Sequence, residues 1–458
     1  MEAQRIKTAR EWAEQQFGNC ELGDWRRTCR AISIGEAMMK APNQSIPKQM
    51  ESPEDTKAAY RFFSDEAVQY EDLIGPHWEQ TRAAAKQGGV VLMVQDLTEL
   101  DYTPYERSIQ GLGPIGDNRG QGILLTTVLS IVPEPRQVLG IAYQEPFFRK
   151  PHPAHETRTE RAKRDKESDV WIHAVHAIGR CPEGVQWVHV GDSGSDMYAF
   201  FAACQEEQCQ FLVRAKEDRR MLDPQGEVSH LLTFARQLAA VDERALHLEA
   251  RHGEPAREVQ LKMAFAPLTL LAGWLNAKAA PIDTWVIRVW EEQAPEGIKP
   301  IEWILLTSVP TQTLDQAWQR VKWYRCRWLV EEFHQCMKTG CKIESKRLEE
   351  ASSLLRLLGM VAPLAVQLLN LTLQSRQQPD LPAIQVLPAD LVLLVAQISN
   401  RLPKDLTVYL FWRLVAQHGG YLGRKRDGPP GWQSLWYGWL NIQTLLRGFR
   451  LASHSPPF

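Results

Sequence analysis

Two stretches of this chain, GGVVLMVQD (Gly88–Asp96) and VQWVHVGD (Val185–Asp192), are apolar runs that each finish on an aspartate. Runs of this kind belong in strands covered on both faces, as in the sheet of an α/β domain. In open α/β sheets, ligand-binding groups gather at strand C-termini. Asp96 and Asp192 stand at those positions. Taken singly, such an aspartate more often closes a turn or caps a helix.

The surrounding pattern supports this sheet. Gly122–Pro133 and Gln137–Phe147 follow as two further strands, forming a meander. Val170–Ile178 and Asp196–Cys204 have helical periodicity, and Gln210–Arg214 is another strand. Three strands, helix, strand, helix, strand make an α/β core with a mixed sheet. Residues 217–300 interrupt it with alternating segments such as Arg257–Phe265 and Thr284–Trp290, so a β-rich insertion is expected. Trp303–Ser308 is the last strand. One long helix is expected from Leu314 to Met337 and an apolar one over Ser352–Leu373. Before the core, Thr8–Phe17 and Ala31–Lys40 are amphipathic, and Gly23–Arg30 places Arg26, Arg27 and Arg30 at the start of the second helix, where they can share a face. After the core, Pro379, Pro382 and Pro388 mark a linker to a helical tail, Ala389–Leu451, broken near Gly419-Gly420 and at Pro429-Pro430-Gly431. At roughly 150 residues per domain, 458 residues suit three domains. These are placed at 1–70, 71–373 (with the insertion at about 217–300) and 374–458.

The expected helix at 314–337 carries the most specific chemistry. Tyr324, Arg327, Glu331 and Lys338 lie at offsets 0, 3, 7 and 14. At about 100° per residue they share a stripe roughly 60° wide. An i,i+4 Arg327–Glu331 pair on a solvated face is the bland alternative, but Trp328, Leu329, Val330 and Phe333 require the segment to pack against a core. Three separated carboxylates, Asp96, Asp192 and Glu331, suit hard divalent cations such as Mg²⁺. Two such ions serve phosphoryl transfer by activating the attacking oxygen and stabilising the leaving one. Arg and Lys beside them suit phosphates.

Composition excludes less than it first promises. Lys and Arg number 53 against 55 Asp and Glu, a net charge of −2, which argues against a simple polycation coating nucleic acid. Locally the balance differs. Residues 147–166 hold seven basic against three acidic residues, 319–347 eight against three, and 401–426 six against one. Residues 51–72 offset them with seven carboxylates. Phosphate contacts respond to fields within about 10 Å, so basic tracts separated from acidic surfaces are expected. The eight cysteines contain no CxxC pair, which favours a reducing compartment, and zinc at Cys336, Cys341 and His334 is not expected. The polar start, Met1–Arg5, is no signal peptide, and no apolar run approaches 18 residues, so no membrane partner is expected.

The Tyr-x2-Arg-x3-Glu-x6-Lys segment, YRCRWLVEEFHQCMKTG, resembles the YREK signature of DDE cut-and-paste transposases of the IS-four group. The likeness extends over nearly the whole chain. LGDWRRTCR and AAYRFF resemble the family's N-terminal DNA-binding region. VQDLTEL and VGDSGSDMYAF resemble the segments with its first two catalytic acids. FLVRAK and EWILLTS resemble core strands, and GGYLGRKRDGPPGWQSLWYGW its dimerisation region. The resemblance implies an RNase H-like core with a β insertion, flanked by helical N-terminal DNA-binding and C-terminal dimerisation domains. It implies a metal-binding triad of Asp96, Asp192 and Glu331, with Mg²⁺ (or Mn²⁺), two per site. It implies DNA contacts from Arg26, Arg27, Arg30, Lys40, Arg61, Arg119, Arg214, Lys216, Tyr324, Arg327 and Lys338, and places Trp303 where a flipped base stacks. The implied partners are double-stranded DNA, as terminal inverted repeats and target, and a second copy of the chain in a synaptic complex. The implied setting is the bacterial cytoplasm, at the nucleoid.

Departures from the family pattern lie at Asp192-Ser193-Gly194-Ser195-Asp196, where Asp-Arg-Glu-Ala-Asp is common, and at Ile123, Leu124 and Thr126. The GDxxxD spacing of Asp192 and Asp196 also resembles the metal loop of haloacid-dehalogenase phosphatases. That family needs Asp-x-Asp at its first site, where Thr98 stands here. A non-catalytic, transposase-derived DNA binder is the remaining alternative. The intact triad positions argue against it.

Overall fold

The computed structural model describes residues 8–150, 167–248, 257–272, 279–376, 378–424 and 427–454. The polar start at Met1–Arg5, most of the basic tract at 147–166, and two basic residues of the tract at 401–426 lie outside the described residues. The chain divides into two compact units, residues 81–98 with 124–331, and residues 1–80 with 99–123 and 332–458.

The first unit is built on the apolar runs. Strand β1 (Gly89–Asp101) is followed by β2 (Gly113–Ile115), β3 (Gly120–Val132), β4 (Gln137–Phe147), β5 (Val185–Gly191) and β6 (Gln210–Arg214). The order β4-β3-β1-β5-β6 is that of an RNase H-like sheet. β4 is antiparallel to β3, whereas β5 is parallel to β1 and β6 to β5. The parallel crossovers are the helices Val170–Ile178 and Tyr198–Glu206. Val91 and Met93 of β1 share a buried core with Trp171 and Val175 of the first helix, Phe200 and Phe201 of the second, and Phe211 of β6.

The insertion is β-rich, and its strands enlarge the same sheet. β7 (Arg220–Leu222), β8 (Val228–His230), β9 (Asp242–Leu248), β10 (Arg257–Leu270) and β11 (Ile282–Glu291) lead to β12 (Glu302–Thr307). β12 pairs antiparallel with β6, and β11 and β10 follow outward. The alternating patterns fit this pairing, in which β11 pairs with β10 over its whole length and the start of β10 pairs with β9.

The expected helix at 314–337 is broken. Leu314–Arg325 and Trp328–Gln335 are separate helices, and Cys336–Gly340 form a wide turn. At the break, Cys326, Arg327, Leu329 and Val330 donate to the carbonyl three residues back, a tighter winding than the α-helix. The shared stripe drawn for Tyr324, Arg327, Glu331 and Lys338 therefore does not hold as a helix face.

In the second unit, Thr8 and Glu11 make a capping box that starts the helix Ala9–Phe17. Asp24 caps Trp25–Lys40, which puts Arg26, Arg27 and Arg30 in its first two turns, at the helix start expected for them. Ser52 caps the helix Pro53–Phe63. Arg356, 5% exposed, donates to the carbonyls of Phe63 (3.0 Å) and Val68 (2.6 Å). It thereby ties the N-terminal segment to the apolar helix Ala351–Arg376. By length and composition alone that helix is long enough to cross a membrane, but 83% of its most apolar window is buried within the protein. It is a core helix here. β2 pairs with the first residues of β3 in this unit.

The C-terminal helices Val408–Gln417 and Trp432–His454 pack backbone to backbone, with Trp412 and Trp439 in ring contact at 5.6 Å. A Cβ on Gly438 would collide with the Val415 carbonyl, and one on Gly419 with that of Ser434. Gly438→Ala is expected to cost about 1–3 kcal/mol by forcing these helices apart. Thermal unfolding of the variant measures it, and an unchanged Tm would contradict this packing.

Candidate active site

Asp96 and Asp192 are level with each other. In the parallel pairing of β1 with β5, Val94 lies opposite Val190, and the paired register ends there. Two residues further along each chain stand the two aspartates. Asp96 is thus not at the end of its strand, since β1 continues to Asp101. It marks the point where β1 parts from β5.

The loop after β5 holds Asp192 in place. Asp192 Oδ1 accepts from the Gly194 amide (2.7 Å), and Ser195 Oγ donates to the Asp192 carbonyl (2.8 Å). A Cβ on Gly191 would strike Ser195. The small residues of Ser193-Gly194-Ser195 thus form a tight turn, and the capping role expected of a lone aspartate is present. Asp196 is committed elsewhere. It is 4% exposed, accepts from the amides of Lys216 (2.7 Å) and Glu217 (2.8 Å), and pairs with Arg219 (2.8 Å). It anchors the chain after β6, and these contacts remove it as the second metal ligand of a phosphatase loop.

Arg327, at the helix break, joins the acids. Its guanidinium is 3.7 Å from Asp96 Oδ2 and hydrogen-bonds Glu331. Burial pushes the Asp96 carboxyl up to about 7. Arg327 opposes that rise, and the charges of Asp192 and Glu331 add to it. All three acids therefore share one electrostatic neighbourhood. Tyr324, 6% exposed, is raised above the ordinary phenol value by burial, against the pull of Arg327 and Arg214. Its ring meets Trp303 edge-on at 5.6 Å. Trp303 is half-buried at the start of β12 and is not a core residue. Arg214, at the end of β6, and Lys216 are exposed. The structure thus gathers Asp96, Asp192, Glu331, Arg327, Tyr324, Trp303 and Arg214.

The donor set suits a divalent cation. It consists of carboxylate oxygens, and they carry more negative charge than one arginine balances. Among the described residues, no three acid, imidazole or thiol groups converge tightly enough to enclose one ion. Arg327 instead bridges Asp96 and Glu331.

Beneath the aspartates, on the opposite face of the sheet, Gln95 Nε2 and His189 Nδ1 meet at 2.7 Å in the core. This bond crosses from β1 to β5. Its only signal in the sequence is a polar residue inside each apolar run.

The remaining cations lie in the other unit. Lys338 is 3.6 Å from Glu344, and Arg119 pairs with Asp117 at 3.1 Å. On the helix Trp25–Lys40, Arg26 is exposed beside Asp24 (3.7 Å), and Trp25 is 68% exposed. Arg27 pairs with Asp65 (2.8 Å), Arg30 with Asp55 (3.2 Å), and Lys40 with Glu36 (3.0 Å) and Glu51 (3.4 Å). Arg61 is exposed on the helix Pro53–Phe63. The expected separation of basic from acidic surface fails here, because the acidic stretch at 51–72 neutralises this basic helix directly.

Three family models match the chain. A transposase DNA-binding model covers residues 9–68, a transposase DDE-domain model 162–365, and a Tn5 transposase dimerisation-domain model 364–456. The DDE match includes Asp192 and Glu331 and begins after Asp96.

Asp96 is expected to destabilise the metal-free protein. Its folded pKa, about 7, exceeds its ordinary value of 3.8, so the folded state holds a proton that the unfolded state releases. The stability this contributes is complete below about pH 4 and lost as pH rises through about 7. Asp96→Asn should therefore raise stability by about 2 kcal/mol at pH 8 and leave it unchanged near pH 4. Adding Mg²⁺ or Mn²⁺ should raise the Tm of the native protein but not of the variant. An equal rise in both would place the ion elsewhere.

Proposed function

We propose, from the premise that the chain belongs to the DDE transposases and ends in a Tn5-type dimerisation domain, that it excises and inserts DNA at the site around Asp96, Asp192 and Glu331. As a transposase it binds DNA and pairs with a second copy of itself. The observation that carries the site is the level placement of Asp96 and Asp192 with Arg327 linking Asp96 to Glu331.

Members of this family act with divalent cations. Asp96, Asp192 and Glu331 would hold them, with Mg²⁺ the natural ion and two per site the number that in-line displacement favours. The bound ions would supply Lewis acidity to the attacking and leaving oxygens of the phosphodiester. Arg327 relinquishes its carboxylate partners and turns its fork to the scissile phosphate. Tyr324, held by burial and by the Trp303 ring, donates its hydroxyl to a phosphate oxygen. Arg214, Lys216, Arg119 and Lys338 hold flanking phosphates. Residues Arg26, Arg27, Arg30, Lys40 and Arg61 bind the terminal repeat, and DNA phosphates replace the carboxylates that now pair with four of them. Binding therefore weakens steeply with salt.

The sequence of events follows from one site acting repeatedly. Water cuts the transposon end and frees a 3′-hydroxyl. That hydroxyl attacks the opposite strand to form a hairpin, which a second water opens, and the released 3′ end attacks target DNA. Trp303 receives the base that hairpin formation extrudes. Ser193-Gly194-Ser195 lacks the charged residues common in the family there, so extrusion rests on Trp303 with less local help.

Glu331→Gln should lower Mg²⁺-dependent cleavage of end-containing DNA by roughly 10³-fold or more, the scale of losing a group that meets transition-state charge. Gel-shift affinity for the same DNA should be preserved. Unchanged cleavage would overturn the triad. Base stacking is worth about 1–3 kcal/mol. Trp303→Ala should therefore reduce hairpin yield about tenfold while sparing the first nick, and equal loss of both products would remove the stacking role.

A further inference from the structure

A second chemical site lies at the other end of β5 and β6, away from the aspartates. β5 and β6 run parallel, with Val188 opposite Gln210. Cys181 lies on the turn entering β5, and Cys209 on the turn entering β6. The two turns are stitched together. Cys181 N donates to the Glu207 carbonyl (3.0 Å), and Arg180 Nε to Gln208 Oε1 (2.8 Å). His176 Nδ1 meets Glu207 Oε1 at 2.9 Å, and Cys209 Sγ reaches the Gly179 carbonyl at 3.8 Å. The Trp187 amide reaches Cys181 Sγ at 3.3 Å, one residue before the Val188–Gln210 pair and so level with Cys209, which sets the two cysteines side by side.

We propose that Cys181 and Cys209 form a peroxide-reactive dithiol that closes to a disulfide between the turns leading into β5 and β6. Cys181 is the attacking sulfur because it is the less buried of the two. It receives the Trp187 amide at 3.3 Å, a donor that favours the thiolate, while its thiol reaches the Val185 carbonyl at 3.3 Å. The neighbouring Cys209 thiol, working against burial, holds the Cys181 thiol below its ordinary value. Burial pushes Cys20 and Cys341 up to about 12, and raises Cys204, Cys326 and Cys336 as well. Reactivity follows the thiolate, so Cys181 is distinguished from these thiols before any oxidant arrives.

The chemistry balances with one hydroperoxide. The Cys181 thiolate attacks hydrogen peroxide, the O–O bond breaks, and Cys181 becomes a sulfenic acid as hydroxide leaves. The Cys209 sulfur then attacks the sulfenic sulfur. Its proton and the departing hydroxyl form water, and the S–S bond closes. Two thiols are oxidised, and one peroxide is reduced to two waters. The site is independent of the transposase reading, because no residue of the acidic cluster takes part.

Full-length reduced protein exposed to hydrogen peroxide tests the proposal. Trypsin leaves residues 181–214 as one peptide holding Cys181, Cys204 and Cys209, so cleavage at Glu183, Glu206 and Glu207 is needed to separate them. Mass spectrometry should find a Cys181–Cys209 cross-link that dithiothreitol removes. In the untreated protein at pH 7, iodoacetamide should label Cys181 about tenfold faster than Cys204 or Cys209. Cys209→Ala should stop oxidation at a Cys181 sulfenic acid that dimedone traps. A Cys204–Cys209 cross-link would overturn the proposal, as would direct passage of Cys181 to sulfinic acid while Cys209 stays reduced. If the variant does not fold, the cross-link and labelling rates of the native protein decide the matter alone.

Discussion

The register between β1 and β5 decides where the acidic site stands. Val94 opposite Val190 makes Asp96 and Asp192 level, and a slip of one residue would send one of them to the other face of the sheet. The Gln95–His189 bond lies under this point. It joins the two strands through side chains where their paired register ends. The sheet face above is left for charge, and the face below is filled by Phe200 and its neighbours.

A cluster of carboxylates at a sheet's end is costly without cations, and Arg327 supplies one from within the chain. It does so from the break between two helices, where the tight winding sets Arg327 and Glu331 apart from the phase of the preceding helix. Just before the break, Tyr324 of the preceding helix meets the Trp303 ring. The site in its DNA-free form is therefore held by internal ion pairs, and substrate phosphate competes with carboxylate for the same guanidinium. The helix Trp25–Lys40 repeats this arrangement, with Asp55, Asp65 and Glu51 on its basic residues. The near-zero net charge reflects that intimate pairing more than any segregation of surfaces.

Much of the architecture was legible because burial writes itself into the order of apolar residues. The runs at 88–96 and 185–190, the alternation at 257–265 and 284–290, and the apolar helix near 352–373 all have the periods of the elements they form. The basic start of the helix Trp25–Lys40 was legible in the spacing of Arg26, Arg27 and Arg30, and the Asp24 cap fixes where it begins. The break at Cys326–Arg327 was invisible because no Gly or Pro marks it, and packing rather than local preference sets it.

The sequence by itself determined which chemistry is possible: two acids after apolar strands, and Tyr, Arg, Glu and Lys in a signature spacing. It also set the helical ends and the β-rich insertion. Only the tertiary structure decided how those groups meet. It interrupted the helix, seated Arg327 between Asp96 and Glu331, committed Asp196 to Arg219, and drew Cys181 to Cys209. The physical reason is that periodicity records whether a residue is buried, a property of each position alone. An ion pair or a strand register depends on distances between segments far apart in the chain, and those exist only once the core has closed.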